Sequence, residues 1–400
     1  MSLQHLNLDA VSESDLMHLV DGGIPESKII EYKQALIYAT DEQKREFLSD
    51  LTAFANTDGG DLVFGIAEDQ GVAGEVVGLN NFVQDDALGK IENLLRDFVQ
   101  PRILGVTMRV IPLGSGKHSL VIRIPRSFSA PHMVRHQGVT RFCGRNANGK
   151  YDLDVSELRS AFVANETYAD RLRTFRINRI GKLCNGEYPA PLAGKHLIVL
   201  HILPVDGVRR EGRLQTTDLV RASKEYRLKP INSSGWGDVF NFDGLLVKSS
   251  GADGKVDSYV QLTRKGFIEA VESQMLEPRQ LTVDGPPAKI VPSVEWERGI
   301  LQAFPGYLNA LTELEIPLPY SLSLSLLNVR GFLMYVGGFN RPYYDQLIDR
   351  DHLLTEEILI ESLSISHSTM LRPLFDQVWN ACGRGGSINY DEDGNWRAHR

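Results

Sequence analysis

Apolar positions in residues 12–22 fall at Leu16, Leu19 and Val20, and "DGGIP" follows. This spacing predicts a short helix that glycine and proline stop. Residues 28–36 alternate instead. Ile30 and Tyr32 share one side of a predicted strand, and Glu31 and Lys33 share the other. Thr40 with Gln43 forms a capping box. Behind it, Phe47, Leu48, Leu51, Phe54 and Ala55 lie on one helical face. "NTDGG" ends that helix, with Gly59 or Gly60 free to take positive φ. "DLVFGIAEDQ" reads as one strand of period two. Leu62, Phe64 and Ile66 share one face; Asp61, Val63, Gly65 and Ala67 share the other. A turn through Gly71 and Gly74 returns the chain along "GEVVGL".

Residues 84–99 repeat Leu88, Ile91, Leu94, Leu95 and Phe98 at helical spacing, closed by Pro101. "GVTMRVIPL" and "HSLVIRIP" are strands joined by "GSGK", and a hairpin is expected about Gln137-Gly138. "DLDVSELRSAFVAN" reads as a helix capped by Asp154 with Glu157 at its third position. Beyond it, "LIVLHILPV" is a buried strand and "GADG" the turn of a hairpin. Residues 293–313 are helical, with Pro305 set to kink or break them. "YSLSLSLLNV" alternates as a strand. Residues 368–382 form a helix with Leu371, Phe375, Val378, Trp379 and Cys382 inward. Antiparallel hairpins with packed helices make an α+β fold. A chain of 400 residues exceeds one ordinary core, so two domains are expected, 1–165 and a C-terminal α/β domain over 166–400.

Charge sharpens this picture. Residues 1–100 carry nineteen Asp and Glu against six Lys and Arg; residues 101–150 carry nine Lys and Arg and no acid. Two readings follow. Either the basic stretch docks a polyanion, or it pairs internally with the acidic first hundred residues. Cys143, Cys184 and Cys382 are far apart and odd in number. They argue against a disulfide framework and a cysteine zinc site, and suit a reducing cytoplasm. No run of eighteen apolar residues suggests a membrane span, and no secretory signal is visible.

The candidate chemistry lies in "ESKIIEYK" and "GIAEDQ". If the small-residue face of the second strand meets the Glu31/Lys33 face of the first, Glu26, Glu31 and Asp69 converge beside Lys33. Three carboxylates suit Mg²⁺ or Mn²⁺, which polarises a phosphoryl oxygen and activates water. Lysine offsets charge developing on the phosphate. The plainer alternative makes Glu31 and Lys33 an exposed strand pair and Asp69 a turn residue. Arg109, Arg123, Arg135, Arg141 and Arg145 are the candidate phosphate contacts, since guanidinium forks bind phosphate bidentately. "GSGKHS" is not a P-loop, because Ile111 and His118 occupy positions that need Gly and Ser/Thr. His118, His132 and His136 read as strand and loop residues.

"ESKIIEYK", "KREFLSDLTAFANTDGGDLVFGIAED", "GEVVGL" and "RFCGRNANGKYDLDVSEL" occur in that order. Over roughly residues 12–165 they resemble the Schlafen-type AlbA-like domain. In animal Schlafens this domain is a metal-dependent endonuclease for structured RNA, transfer RNA included, with three acidic active-site residues. The resemblance places the two glutamates on Glu26 and Glu31, and the third acid on Asp69 or, with the loop shifted by one, on Glu68. Bacterial members are also described as DNA-binding or ATP-binding proteins. The animal enzymes use two copies of the domain where one is found here, so a full cleft implies a homodimer.

The expected function is therefore nucleic-acid binding with metal-dependent cleavage of structured RNA. A non-catalytic DNA or RNA binder is the first rival. An assembly module with paired acidic and basic surfaces is the second.

Overall fold

The computed structural model describes residues 3, 6, 8–127, 129–147, 149–209, 214–249, 251–281, 285–336 and 346–397. The chain divides into two compact units, Met1–Thr167 and Tyr168–Arg400.

In the first unit, helix α1 (Glu13–Asp21) is followed by strand β1 (Ile30–Lys33), helix α2 (Asp41–Asn56) and strand β2 (Gly60–Phe64). Strands β3 (Ile66–Asp69) and β4 (Val72–Val76) form a separate hairpin. Helix α3 (Gln84–Phe98) leads into β5 (Val99–Gln100), β6 (Thr107–Pro112) and β7 (His118–Ile124). Strands β8 (Met133–His136), β9 (Val139–Arg141), β10 (Cys143–Asn146) and β11 (Gly149–Asp152) complete the unit. Helix α4 (Val155–Cys184) begins here and extends well beyond the helix expected from the sequence. Its capping box is the expected one: the Glu157 amide donates to Asp154 and the Asp154 amide donates to Glu157.

The main sheet has the order β1-β2-β7-β6, with β1 parallel to β2 and the other pairs antiparallel. One face carries Leu62, Phe64, Leu120 and Ile122 against Phe47, Leu51 and Phe54 of α2. The other carries Ile30, Tyr32, Val63 and Val121 against Leu16 and Leu19 of α1. Burying each such side chain is worth about 1.5–3 kcal/mol. The parity expected of β1 therefore holds: Ile30 and Tyr32 face the α1 side, leaving Glu31 and Lys33 on the α2 side.

The single strand expected over residues 61–70 does not form. Gly65 takes φ +94 and ends β2 at Phe64. Ile66 consequently joins the core of Val63 rather than that of Phe64. A Cβ at Gly65 would also come within 2.8 Å of Ser119 Oγ, so glycine is required twice over.

In the second unit, β12 (Leu197–Pro204) precedes α5 (Val205–Arg209) and α6 (Thr216–Ser223). Strands β13 (Trp236–Phe240), β14 (Gly244–Ser249), β15 (Ser258–Thr263), β16 (Ile268–Glu272) and β17 (Ile290–Pro292) follow. Helix α7 (Glu295–Glu313) runs through Pro305 without a break. Strands β18 (Tyr320–Leu327), β19 (Leu333–Tyr335), β20 (His352–Leu354) and β21 (Ile358–Ile360) precede helix α8 (His367–Ala381). An antiparallel sheet has the order β13-β14-β15-β16-β12-β18-β20, and β21 also pairs with β18. One sheet face packs Leu200, Leu322 and Leu324 with Trp296, Phe304, Phe375 and Trp379 of α7 and α8. No helix among the described residues is long and apolar enough to cross a membrane.

Candidate functional site: a charge network in the first unit

Glu31 lies on β1 with its side chain only 9% exposed. Its two carboxylate oxygens face different cations: one Arg145, the other Lys33 at 2.5 Å. Lys33 also approaches Asp50 at 3.7 Å, and Asp50 receives Lys150 at 2.6 Å. Lys150 reaches Glu46 at 2.6 Å as well. Asp50 and Glu46 are one turn apart on α2, so both can take the same ammonium. Arg145 and Lys150 are direct cross-strand partners in the β10–β11 pair. Like charges in that position repel, and the acids of β1 and α2 offset the repulsion.

Arg145 is fully built in. Its Nε donates to the Ser27 carbonyl at 3.0 Å, and its guanidinium sits 4.5 Å over the Phe54 ring. Glu26 stands half-buried beside this group, and its Oε1 accepts the Tyr32 amide at 2.9 Å. Burial raises the Glu26 carboxyl above its usual range, the Tyr32 amide opposes this, and neighbouring Glu31 adds to the rise. Burial and Glu31 push Asp50 upward in the same way. Burial works against the charge of Lys33, but Asp50 and Glu31 outweigh it and hold the ammonium above its ordinary pKa.

The structure therefore brings Glu26, Glu31 and Lys33 together. Asp69 stands exposed at the end of β3, and its side chain makes no hydrogen bond or ion pair among the described residues. Glu68 is also exposed and is tied into its own turn. It accepts the Gly71 amide at 2.5 Å, and a Cβ on Gly71 would lie 3.8 Å from Glu26 Oε2. Two departures from regular parity separate Glu68 and Asp69 from the single-strand expectation: the positive φ at Gly65, and an irregular register between Ala67 and Glu68. Among the described residues, no three His, Cys, Asp or Glu side chains are arranged to hold a metal ion. As placed, the carboxylates do not fit a divalent cation, because both Glu31 oxygens already face cations. No catalytic step through a metal follows from this arrangement.

Three of the five candidate phosphate arginines are committed internally. Arg123 grips Asp61 through Nε and Nη2 at 2.7 and 3.0 Å, and it also donates to the Leu3 and Leu6 carbonyls. Arg141 grips Asp152, and Arg145 grips Glu31. Arg109 is half-buried on β6. Arg135 remains exposed and, among the described residues, unpaired. Sequence reasoning missed its companion, Arg102, which is exposed and unpaired in the same sense. The single positive surface expected from the five arginines is thus replaced largely by internal pairing.

Asp50, Glu46 and Lys150 were also missed. A signal for Asp50 existed: it stands three residues after Phe47 and four before Phe54, on the apolar stripe of α2. An acid at such a position requires a buried partner. His118, His132 and His136 behave as strand and loop residues; His132, for example, bonds the Pro101 carbonyl at 2.6 Å.

Comparison with known proteins adds to this geometry. Residues 26–154 match the family model described as Schlafen, AlbA_2. This segment is a Schlafen AlbA_2 domain. The match takes in Glu26, Glu31, Lys33, Asp50, Arg145 and Lys150, so the charge network lies wholly within the domain. The solution structure of the N-terminal domain of a RecG-related protein from Nitrosomonas europaea is 25% identical, with a TM-score of 0.27. It covers 34% of this chain and 88% of its own. A crystal structure of a protein from Corynebacterium diphtheriae is 18% identical, with a TM-score of 0.25, covering 36% of this chain and 29% of its own. At these TM-scores the likenesses carry no functional argument. No protein of curated function matches the chain.

Proposed function

We propose that the AlbA_2 domain binds nucleic acid, and that it does so through cations left outside its internal network. The observation that carries this reading is the outer face of the β5-β8-β9 sheet. Val99 and Val134 are cross-strand partners and buried. Gln100, Met133 and Arg135 alternate to the opposite side, and Thr140 pairs with Arg135. Arg102 follows two residues after Gln100. Two unpaired guanidinium groups, Arg135 on strand β8 and Arg102 in the segment after β5, suit phosphate contacts, which supply affinity without reading sequence. The half-exposed Lys33 ammonium adds a third cation, one already shared with Glu31 and Asp50.

Binding of a structured RNA and of a DNA duplex at several salt concentrations tests this reading. A steep loss of affinity with salt in the wild type, reduced in R102A/R135A, supports it; no measurable binding removes it. Running the same RNA with Mn²⁺ or Mg²⁺ tests the finer reading, metal-dependent cleavage of structured RNA. That reading is supported by the side-by-side Glu26 and Glu31 with Lys33. It requires Glu31 to leave Arg145 or Lys33, so uncleaved RNA alongside tight binding selects the non-catalytic binder. For the second unit we propose homodimer contacts. Val239 and Phe240 on edge strand β13 and the neighbouring Phe242, which is 94% exposed, support this. Sedimentation of the full chain tests it, and a monomer at micromolar concentration refutes it.

A further inference from the structure

The sheet face beneath the second half of α4 is polar where a helix ordinarily packs on hydrocarbon. Phe175, Arg179 and Lys182 recur on α4 at spacings of four and three, so they project from one side of the helix. Below them, Gln261 and Thr263 of β15 and Glu269 of β16 floor a cavity of about 170 Å³. Asp243, in the turn between β13 and β14, stands at its edge. Phe175 and Phe267 supply an apolar wall, their ring centroids 4.7 Å apart.

The floor is rigid. Glu269 is 3% exposed and accepts four hydrogen bonds. Arg179 donates from Nε at 2.8 Å and Nη2 at 2.7 Å, the Tyr259 hydroxyl at 2.9 Å, and His201 Nε2 lies at 3.0 Å. The carboxylate has no capacity left for a ligand, but it locks the Arg179 fork in place. The remaining nitrogen, Nη1, makes no bond among the described residues. Lys182 and Asp243 are exposed and likewise without an ion pair among the described residues. Alongside Glu269, Asp243 also helps hold Arg179 charged, and at the mouth stand one positive group, Lys182, and one negative group, Asp243.

We propose that this pocket binds a small zwitterion, an α-amino acid with a short apolar side chain. The ligand carboxylate meets Lys182 and Arg179 Nη1, its ammonium meets Asp243, and its hydrocarbon lies against Phe175 and Phe267. Size supports the choice. A cavity of ~150 Å³ holds a benzene molecule, so this pocket takes an apolar body of about that size. Charge favours a zwitterion over a simple anion or a simple amine, because only a zwitterion meets both mouth charges.

Calorimetric titration of the full chain with L-leucine, 4-methylpentanoate and 3-methylbutylamine tests the proposal. The three ligands share a hydrocarbon body and differ in charge. Leucine is expected to bind, with both single-charge analogues weaker by about tenfold or more. D243N and K182A alter exposed side chains outside the Glu269 network, so both should keep the wild-type circular dichroism. Each should weaken leucine by about tenfold or more. The proposal is overturned if leucine gives no heat at millimolar concentration. It is equally overturned if either analogue binds as well as leucine, or if either folded variant binds leucine like the wild type.

Discussion

Replacing Arg145 by methionine tests whether the AlbA_2 network is a buried, coupled structure. The Arg145 side chain is 2% exposed and its partner Glu31 9%, so neither is screened as a surface pair would be. Removing one partner of a buried pair ordinarily costs about 3–5 kcal/mol, because the other charge stays behind. Here Lys33 at 2.5 Å still answers Glu31, which places R145M near the low end, about 3 kcal/mol. Loss of the Phe54 contact adds about 1 kcal/mol. E31Q leaves Arg145 without a bonded carboxylate among the described residues, held by the Ser27 carbonyl and the Phe54 ring, so a cost of similar size follows. The double variant E31Q/R145M leaves no orphaned charge at the pair. It should cost less than the sum of the single variants by about 1–3 kcal/mol. Urea unfolding followed by far-ultraviolet circular dichroism measures this. All four tryptophans (236, 296, 379 and 396) lie in the second unit, so tryptophan emission follows that unit separately. Single-variant costs below about 1 kcal/mol, the value of an exposed pair, or strict additivity would refute the coupling.

Two further predictions concern the second unit, and tryptophan emission reads both. Burial raises the Glu272 carboxyl to about 7, against the opposing Gln274 and Met275 amides. Its contribution to stability is therefore complete below the ordinary glutamate range and is lost as pH rises through about 7. The loss should amount to about 3 kcal/mol at most, and E272Q should flatten that slope; an equally steep slope in the variant would rule out Glu272 as its source. Glu297 accepts Trp379 Nε1 and Trp396 Nε1, each at 2.7 Å, and Asn389 Nδ2 at 2.8 Å. E297A strands these donors and should cost about 3 kcal/mol, with a changed emission spectrum; wild-type stability would show that the donors find other partners.

Much of the fold is legible in local pattern, because caps and turns are local chemistry. Thr40 with Gln43 and Asp154 with Glu157 cap their helices as expected. Gln137 and Gly138, both at positive φ, turn the β8–β9 hairpin. Strand parity also places Glu31 beside Lys33. What is not legible depends on one backbone angle or on distant partners. Gly65 at φ +94 divides one apparent strand between two sheets, and every parity inference beyond it changes. The Glu31–Arg145 and Asp50–Lys150 pairs join residues about a hundred positions apart, a separation no periodicity records. Charge asymmetry raised the possibility of internal pairing, yet it could not say which arginines would be consumed. Arg102 and Arg135 emerge as the open ones only when the acids near the others are located.

On the reading proposed above, the AlbA_2 domain engages nucleic acid through these open cations. The most direct test of that reading is the slope of log affinity against log salt for a DNA duplex, compared between wild type and R102A/R135A. If both guanidinium groups touch phosphate, the slope should become shallower by about 1.8, two counterion-releasing contacts at about 0.9 each. Circular dichroism should stay unchanged, because neither side chain has an internal partner among the described residues. An unchanged slope in a folded variant would show that Arg102 and Arg135 do not touch phosphate.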